Sequence, residues 1–163
     1  MSNIPNSSAT DDIGAVSSDI AEQVTITNTT QQPLPYHFFE YVDLDLNGTP
    51  QDSLVRINNG NTAQQFEGPF VASEAVVTTM PSHLETNFYP NTLNSLNDGL
   101  PTTLNDNAGP LGPGDLTWAF QWDLLIGPGQ SVNISKDKII TPAPGSIALV
   151  ATAGAFGLRR RRR

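Results

Sequence analysis

The residues best suited to chemistry in this sequence are alternating carboxylates that lead into an Asn-Gly pair. Asp43, Asp45 and Asn47 occupy every second position before Gly48. Calcium binds several oxygen ligands that converge from every second residue of a flexible loop, and this spacing matches the first half of such a loop. The second half does not match, because Leu54 stands where a bidentate glutamate is expected. The pattern predicts a weak calcium site, and the alternative interpretation is a solvent-facing strand that enters a turn.

The sequence contains none of the common catalytic motifs. It has no Gly-x-Ser-x-Gly elbow, no phosphate-binding glycine loop and no His-Glu-x-x-His pair. Because there is no cysteine, disulfides, thiol catalysis and cysteine-ligated metals are excluded. His37 and His83 lack the spacing of zinc ligands, so we expect surface or packing residues. Asp43 and Asp45 could form a glycosidase pair, but sixteen acidic residues make such pairs easy to find, so we expect a non-catalytic protein with no cofactor beyond weakly bound calcium.

The C-terminal residues combine three physically different signals in a fixed order. Pro142-Ala143-Pro144-Gly145 cannot belong to a helix, because each proline lacks an N–H group and restricts the residue before it. An uncharged run over 147–158 follows, and five arginines end the sequence. A helix over this run would be about 20 Å long, shorter than the roughly 30 Å hydrocarbon layer of a membrane. The apolar side chains that would enter the membrane include Ile147, Leu149, Val150, Phe156 and Leu158.

This order resembles the PEP-CTERM sorting signal of Gram-negative bacteria that make exopolysaccharide, which a membrane-embedded exosortase recognises. The resemblance covers residues 142–163, and Pro-Ala-Pro-Gly stands where Pro-Glu-Pro is usual. It implies that Pro142, Ala143, Pro144 and Gly145 are the recognition and processing segment and that the apolar run crosses the membrane. It implies cytoplasmic retention of the arginine cluster, which consists of Arg159, Arg160, Arg161, Arg162 and Arg163.

The same resemblance implies where the protein acts and with what. Its partners would be an exosortase-like processing enzyme, the membrane and exopolysaccharide. The protein would be exported, anchored transiently in the inner membrane, and then found at the cell surface or outside the cell. The alternative is a secreted module that binds polysaccharide or calcium, for which the tail is only the means of delivery.

The charge distribution argues against nucleic acid as a partner. Apart from the terminal arginines, three basic residues stand against sixteen acidic ones, and the net charge of the chain is −8. A body with this excess of acidic residues repels phosphate backbones. The arginine block also lacks the interleaved aromatic residues on which bases could stack. We therefore expect no nucleic-acid partner.

Composition and periodicity predict an all-β body. The chain has thirteen glycines and thirteen prolines, and short segments of alternating polarity are separated by turn signals. We expect an antiparallel β-sandwich, jelly-roll or immunoglobulin-like, of about seven to eight strands over residues 20–140. Residues 1–19 are predicted to be disordered or loosely attached, and residues 141–163 to form the sorting signal with its C-terminal apolar helix.

Particular elements of this body can be predicted more sharply. A strand over 36–47 should turn into a hairpin at Asn47-Gly48. Glu40 falls on the apolar side of this strand, so we expect either that it lies near the margin of the sheet or that the strand's register is broken there. Large apolar residues alternate strictly over 116–126 and predict a strand buried on one face. Its Trp118 and Trp122 should pack in the core rather than form a sugar-binding platform.

Two further expectations concern loops. Gly127-Pro128-Gly129 should form a hairpin turn to a last strand that runs to Ile140. Residues 91–114 should form a long loop with one helical turn, whose leucines pack back on the body.

The N-terminal residues lack an export signal. Residues 1–23 are polar and acidic, and the first basic residue is Arg56. A signal peptide would begin with a basic region and an apolar stretch. We therefore expect the natural start to lie upstream of Met1.

Overall fold

The computed structural model describes residues 17–142, which form two antiparallel sheets and a short helix. The strands are β1 (Ser18–Thr27), β2 (Leu34–Asp43), β3 (Leu54–Asn58), β4 (Thr62–Glu67), β5 (Phe70–Thr78), β6 (His83–Phe88), β7 (Leu116–Ile126) and β8 (Ser131–Pro142). Helix α1 spans Asn91–Asn97, and a 3₁₀ turn spans Leu46–Gly48. The predicted all-β antiparallel architecture is confirmed, whereas the predicted C-terminal helix lies outside the described residues.

The larger sheet has the strand order β1-β8-β5-β4-β3, and the smaller sheet has the order β2-β7-β6. The chain changes sheet between β1 and β2, between β2 and β3, between β5 and β6, and between β7 and β8. As a consequence β1 pairs with β8 in one sheet, while β2 pairs with β7 in the other. Three of the six strand pairs in the described residues therefore join strands that are not consecutive in the chain.

The hairpin predicted at Asn47-Gly48 is wrong. Both residues adopt the positive φ angles, 59° and 73°, that such a turn requires. However, β2 already ends at Asp43, and Leu46 is buried beside β4 and β5 of the larger sheet. The burial of this leucine carries the chain across to the other sheet, so β3 pairs with β4 instead of β2.

The hairpin predicted at the Gly-Pro-Gly turn, residues 127–129, is also wrong. β7 lies at the centre of the smaller sheet, whereas β8 lies between β1 and β5 in the larger one. A turn sequence reverses the direction of the chain, but it does not determine with which strand the next segment pairs. Here the contacts of Asn28, described below, fix the turn as a corner between sheets.

The apolar core lies between the sheets and is centred on β7. Trp118 and Trp122 are almost completely buried, which confirms the prediction that they pack in the core. The Trp122 ring lies 5.5 Å from that of Phe38 and 6.1 Å from that of Phe120, measured between centroids. The buried core residues are Val42, Val55, Ile57, Ala63, Val76, Leu116, Trp118, Phe120, Trp122 and Ile134.

β7 is buried on both faces over most of its length, which the one-face prediction missed. Thr117, Ala119 and Gln121 point away from the core, yet they are buried as well. α1 and the loop after it cover this outer face, where the Leu104 amide donates a hydrogen bond of 2.9 Å to Gln121 Oε1. The predicted long loop with a helical turn is confirmed. Leu104 packs back on the body as expected, whereas Leu100 does not and is 71% exposed.

Asn28 joins two of the corners at which the chain changes sheet. Its buried Nδ2 donates hydrogen bonds of 2.8 Å to the carbonyls of Gln32 and Ile126. Its Oδ1 accepts from the amide and the hydroxyl of Thr30. Its backbone also pairs with Gly129 and Gln130. One side chain thus holds the β1–β2 and β7–β8 connections together.

Replacing Asn28 should therefore destabilise the sandwich strongly. We expect Asn28→Ala to lower the free energy of unfolding by roughly 2–4 kcal/mol, because buried donors and acceptors lose their partners. Urea denaturation measures the change. The exposed neighbour variant Thr29→Ala is the control and should shift stability by no more than about 0.5 kcal/mol. Equal effects of both substitutions would contradict this role of Asn28.

Candidate functional site

The predicted processing segment begins at the last residue of the described fold. Pro142 ends β8 and pairs with Phe70 of β5. Ala143, Pro144 and Gly145, the apolar run and the arginine cluster lie outside the described residues. Within residues 17–142, no helix is both long enough and apolar enough to cross a membrane.

The residues of the predicted calcium loop lie at one end of the smaller sheet. Asp43 ends β2, Asp45 precedes the 3₁₀ turn, and the amide of Asn47 lies beside Gly68 in the β4–β5 turn. Burial raises the pKa of Asp43, and the nearby charges of Asp115 and Asp45 raise it further. The structure thus adds Asp115, which no spacing in the sequence connects to this loop.

The calcium site stays a prediction. Over the described range 17–142, no three side chains of the His, Cys, Asp or Glu type are grouped so that they could hold a metal ion. The Tyr41 hydroxyl donates to Asp43 Oδ2 at 3.4 Å. A cation would have to displace that contact and draw Asp45 towards Asp43.

Asp52 is a buried acid close to this end of the fold. Its backbone pairs with Gly114, and its Oδ2 accepts a 3.2 Å hydrogen bond from the Leu116 amide. Its Oδ1 and the Oε1 of the neighbouring Gln65 receive no hydrogen bond. Burial raises the pKa of Asp52 to about 6. Protonated Asp52 could donate to Gln65 Oε1 and satisfy both atoms, while Gln65 Nε2 donates to the Leu44 carbonyl.

A groove of about 280 Å³ opens on the outer face of the smaller sheet. One wall of the groove is apolar. It consists of Phe39 of β2, Leu96 of α1, and Leu100 and Pro101 of the loop that follows α1. Polar groups at the groove are His37, Thr102 and Thr103. The sequence did not predict this groove, because its two sides are more than fifty residues apart.

His37 and His83, predicted to be surface or packing residues, are linked through one carboxylate. His37 Nδ1 lies 2.7 Å from Asp123 Oδ1, and His83 Nε2 lies 3.5 Å from Asp123 Oδ2. His83 Nδ1 is also 2.9 Å from Asp106. Hydrogen bonds from Gln121 and His37 lower the pKa of Asp123. The acids and imidazoles thus alternate in a line that begins at His37, the member that lines the groove.

Charged side chains also lie between the two sheets. Lys136 of β8 has 4% of its side chain exposed and forms an ion pair with Glu40 of β2, on the opposite sheet. Glu74 of β5 is completely buried, 3.5 Å from the Lys136 ammonium and 3.0 Å from that of Lys138. Glu22 of β1 approaches Lys136 at 3.2 Å and is half exposed. We call these five residues the charge cluster.

Two carboxylates of the charge cluster lie against each other. Burial raises the pKa of Glu40 to about 7, and the contact with Glu74 contributes to this rise. Glu40 Oε2 and both oxygens of Glu74 receive no hydrogen bond, since the lysines near Glu74 are not oriented to donate to it. One proton shared between the two carboxyl groups would satisfy two of these three oxygens.

One sign of the charge cluster is visible in the sequence, namely Glu40 on the apolar side of β2. The register of β2 is unbroken, since Glu40 pairs with Phe120, and β2 is an edge strand, as one of the two expectations had it. Glu40 nevertheless points into the sandwich. Its partner Lys136, distant in sequence, has no local signal that marks it as buried.

Neither the known protein families nor the curated proteins contain a match to this chain.

The buried acid Asp52 should make stability depend on pH. Its pKa is higher in the folded protein than its ordinary value of 3.8, so its carboxyl favours folding when protonated and loses this contribution as the pH rises from about 4 to 6. We expect Asp52→Asn to be more stable than the unmodified protein at pH 7 by about 2–3 kcal/mol, because the amide can donate to Gln65 without titrating.

Denaturant unfolding at several pH values tests this expectation. The advantage of Asp52→Asn should vanish below about pH 4, where Asp52 itself is protonated. Asp98→Asn, an exposed isosteric change, is the control and should alter stability by no more than about 0.5 kcal/mol at any pH. An Asp52→Asn variant that is less stable at pH 7 would overturn the assignment.

Proposed function

We propose that this protein is a non-catalytic component of the cell envelope or extracellular matrix, delivered by a C-terminal sorting signal that an exosortase-like membrane enzyme processes. The observation that carries the proposal is the order of signals in residues 142–163, namely a Pro-x-Pro-Gly segment, an uncharged apolar run and five arginines. The core of a soluble domain does not require this order of segments, and the excess of acidic residues in the body repels nucleic acid.

The end of the described fold supports a cut in the processing segment. β8 lies between β1 and β5, and its last paired residue is Pro142. Cleavage after Pro142 would leave all eight strands on the released side. The apolar run is short for a permanent span, so we propose transient anchoring in the inner membrane followed by release to the surface or the surroundings.

We further propose that the sandwich is of the jelly-roll type. β1 pairs antiparallel with β8 in one sheet, and β2, which follows β1, pairs antiparallel with β7 in the other. The segments β1–β2 and β7–β8 thus form one two-stranded ribbon that passes from one sheet to the other. β5 and β6 add to the other sides of β8 and β7 in the same way. Such a folded ribbon favours a jelly roll over the immunoglobulin-like alternative.

Mass spectrometry of the protein recovered from the producing cell tests the proposed delivery. We expect envelope or extracellular material to end between Pro142 and Gly145, without the arginine cluster. A variant with Pro142, Pro144 and Gly145 replaced by alanine should keep its arginines and accumulate in the inner-membrane fraction. Pro128→Ala, in an exposed turn, is the control and should be processed normally. An intact arginine cluster on unmodified protein in the cytoplasmic fraction would contradict the proposal.

The groove supports a second candidate, a module that binds polysaccharide, in addition to any weak calcium binding. Phe39 offers an aromatic surface for the apolar face of a sugar ring, and the His37–Asp123 pair beside it offers hydrogen bonds to hydroxyl groups. A neutral sugar suits this site better than an acidic one, because the body carries an excess of carboxylates.

Binding of the producing cell's exopolysaccharide, measured by calorimetry, tests the second candidate. We expect Phe39→Ala to weaken binding roughly two- to tenfold, since a stacking contact of this kind contributes about 0.5–1.5 kcal/mol. Phe88→Ala, which removes an exposed aromatic ring at the other end of the smaller sheet, should bind as the unmodified protein does. Equal binding by both variants would exclude the groove.

A further inference from the structure

The charge cluster brings a primary amine and a carboxyl group into contact across the interior of the sandwich. Lys136 Nζ contacts Glu40 Oε1, and the two residues belong to β8 and β2, on opposite sheets. The Lys136 side chain is 4% exposed and that of Glu40 is 10% exposed. A second carboxyl group, that of Glu74, lies beside both and is completely buried.

We propose that Lys136 and Glu40 condense to an intramolecular isopeptide bond that joins the two sheets covalently, with Glu74 as the group that transfers the protons. Amine, electrophilic carboxyl and proton acceptor are the three groups that such a reaction requires. All three are present between the sheets, and no external reagent is needed.

The condensation balances with water as its only by-product. A proton of the Lys136 amine passes to the Glu74 carboxylate while Nζ attacks Cδ of protonated Glu40. Glu74 then returns the proton to the departing hydroxyl group. The Nζ–Cδ bond forms, the bond from Cδ to one carboxyl oxygen breaks, and one water molecule leaves. No oxidant or reductant takes part.

The surroundings of Glu40 favour the protonated carboxyl group that the reaction requires. Burial and the adjacent Glu74 raise the pKa of Glu40 to about 7, so a large share of molecules carries the protonated, electrophilic form near neutral pH. Burial opposes the charge of Lys136, but hydrogen bonding and the charges of Glu40 and Glu74 raise its pKa overall. The amine must therefore lose its proton to a neighbouring carboxylate first, and we expect slow maturation after folding.

Folding supplies the driving force for a bond that does not form between free amines and acids in water. Groups held in contact react as if at effective concentrations of roughly 10⁵–10⁸ M. Conversion to an amide also removes a positive and a negative charge from the interior, where each is costly. The product ties together residues 96 positions apart in a chain that has no cysteine.

Glu40 is the carboxyl group best placed to react among the three around Lys136. Glu22 lies at 3.2 Å but is 52% exposed, so water solvates it. Glu74 lies farther away, at 3.5 Å, and on the same sheet as Lys136. Only the bond to Glu40 would link the two sheets.

Intact mass spectrometry of the purified full chain under denaturing conditions tests the proposal. After incubation at neutral pH, the mass should be lower than that of the sequence by one water molecule. Proteolytic fragments should include a branched peptide in which Lys136 is joined to Glu40. A chain of full mass after prolonged incubation, or a branch at Glu22 or Glu74, would overturn the proposal.

Matched variants separate the cross-link from other losses of water. Lys136→Arg keeps the positive charge but should retain the full mass. Glu74→Gln keeps the shape of the side chain and should slow the reaction at least about 100-fold, the usual effect of removing a general acid or base. Arg56→Lys, a change at a basic residue of β3 that contacts Gln64 and lies outside the charge cluster, should still form the bond. A loss of water that persists in Lys136→Arg would show dehydration elsewhere and would overturn the assignment.

Heat denaturation gives a second readout that does not depend on mass. The cross-linked form should melt roughly 10–20 °C above the uncross-linked form of the same protein, because the bond restricts the unfolded chain. Freshly folded and matured samples of the unmodified protein provide the two forms without any substitution. Identical midpoints for samples that differ in mass by one water would contradict a bond between the sheets.

Discussion

The interaction between Lys136 and Glu40 is the constraint on which the arrangement of the two sheets depends. A charge buried in a sandwich must have a partner, since an unpaired ion in the interior costs several kcal/mol. Lys136 lies between two neighbouring strands of the larger sheet and finds Glu74 on one of them and Glu22 on the other. Only Glu40 comes from the opposite sheet. This pair therefore joins β2 to β8 directly across the interior, beside the apolar core.

Strands that are distant in the chain become neighbours because the chain changes sheet at several corners. Each change of sheet requires a corner whose backbone groups are satisfied, and Asn28 supplies these hydrogen bonds for two corners at once. The loop after α1 covers the second face of β7, which turns a strand of the smaller sheet into the most deeply buried element. The groove lies along the edge of that cover.

Much of the secondary structure could be predicted from the sequence, because period-two alternation identifies a strand and its inward face. The long strand around Trp118 and the last strand, which was expected to run to Ile140, are confirmed in this way. Pairing could not be predicted, because alternation does not indicate which strand lies beside which. Both wrong hairpins have this cause. The charge cluster could not be predicted for the same reason. The sequence shows that Glu40 falls on the apolar side of its strand, but it does not show that Lys136 lies opposite. The approach of Asp115 to Asp43 likewise depends on strand pairing.

A protein released outside the cell by the proposed sorting signal would need an interior that withstands dilution and proteolysis without disulfides, and a bond between Lys136 and Glu40 would meet that need. A crystal structure at atomic resolution tests this central claim most directly. We predict continuous, planar density with Nζ about 1.33 Å from Cδ, the length of an amide bond. Separate side chains with Nζ no closer than about 2.7 Å to a Glu40 oxygen, as in an ordinary ion pair, would contradict it.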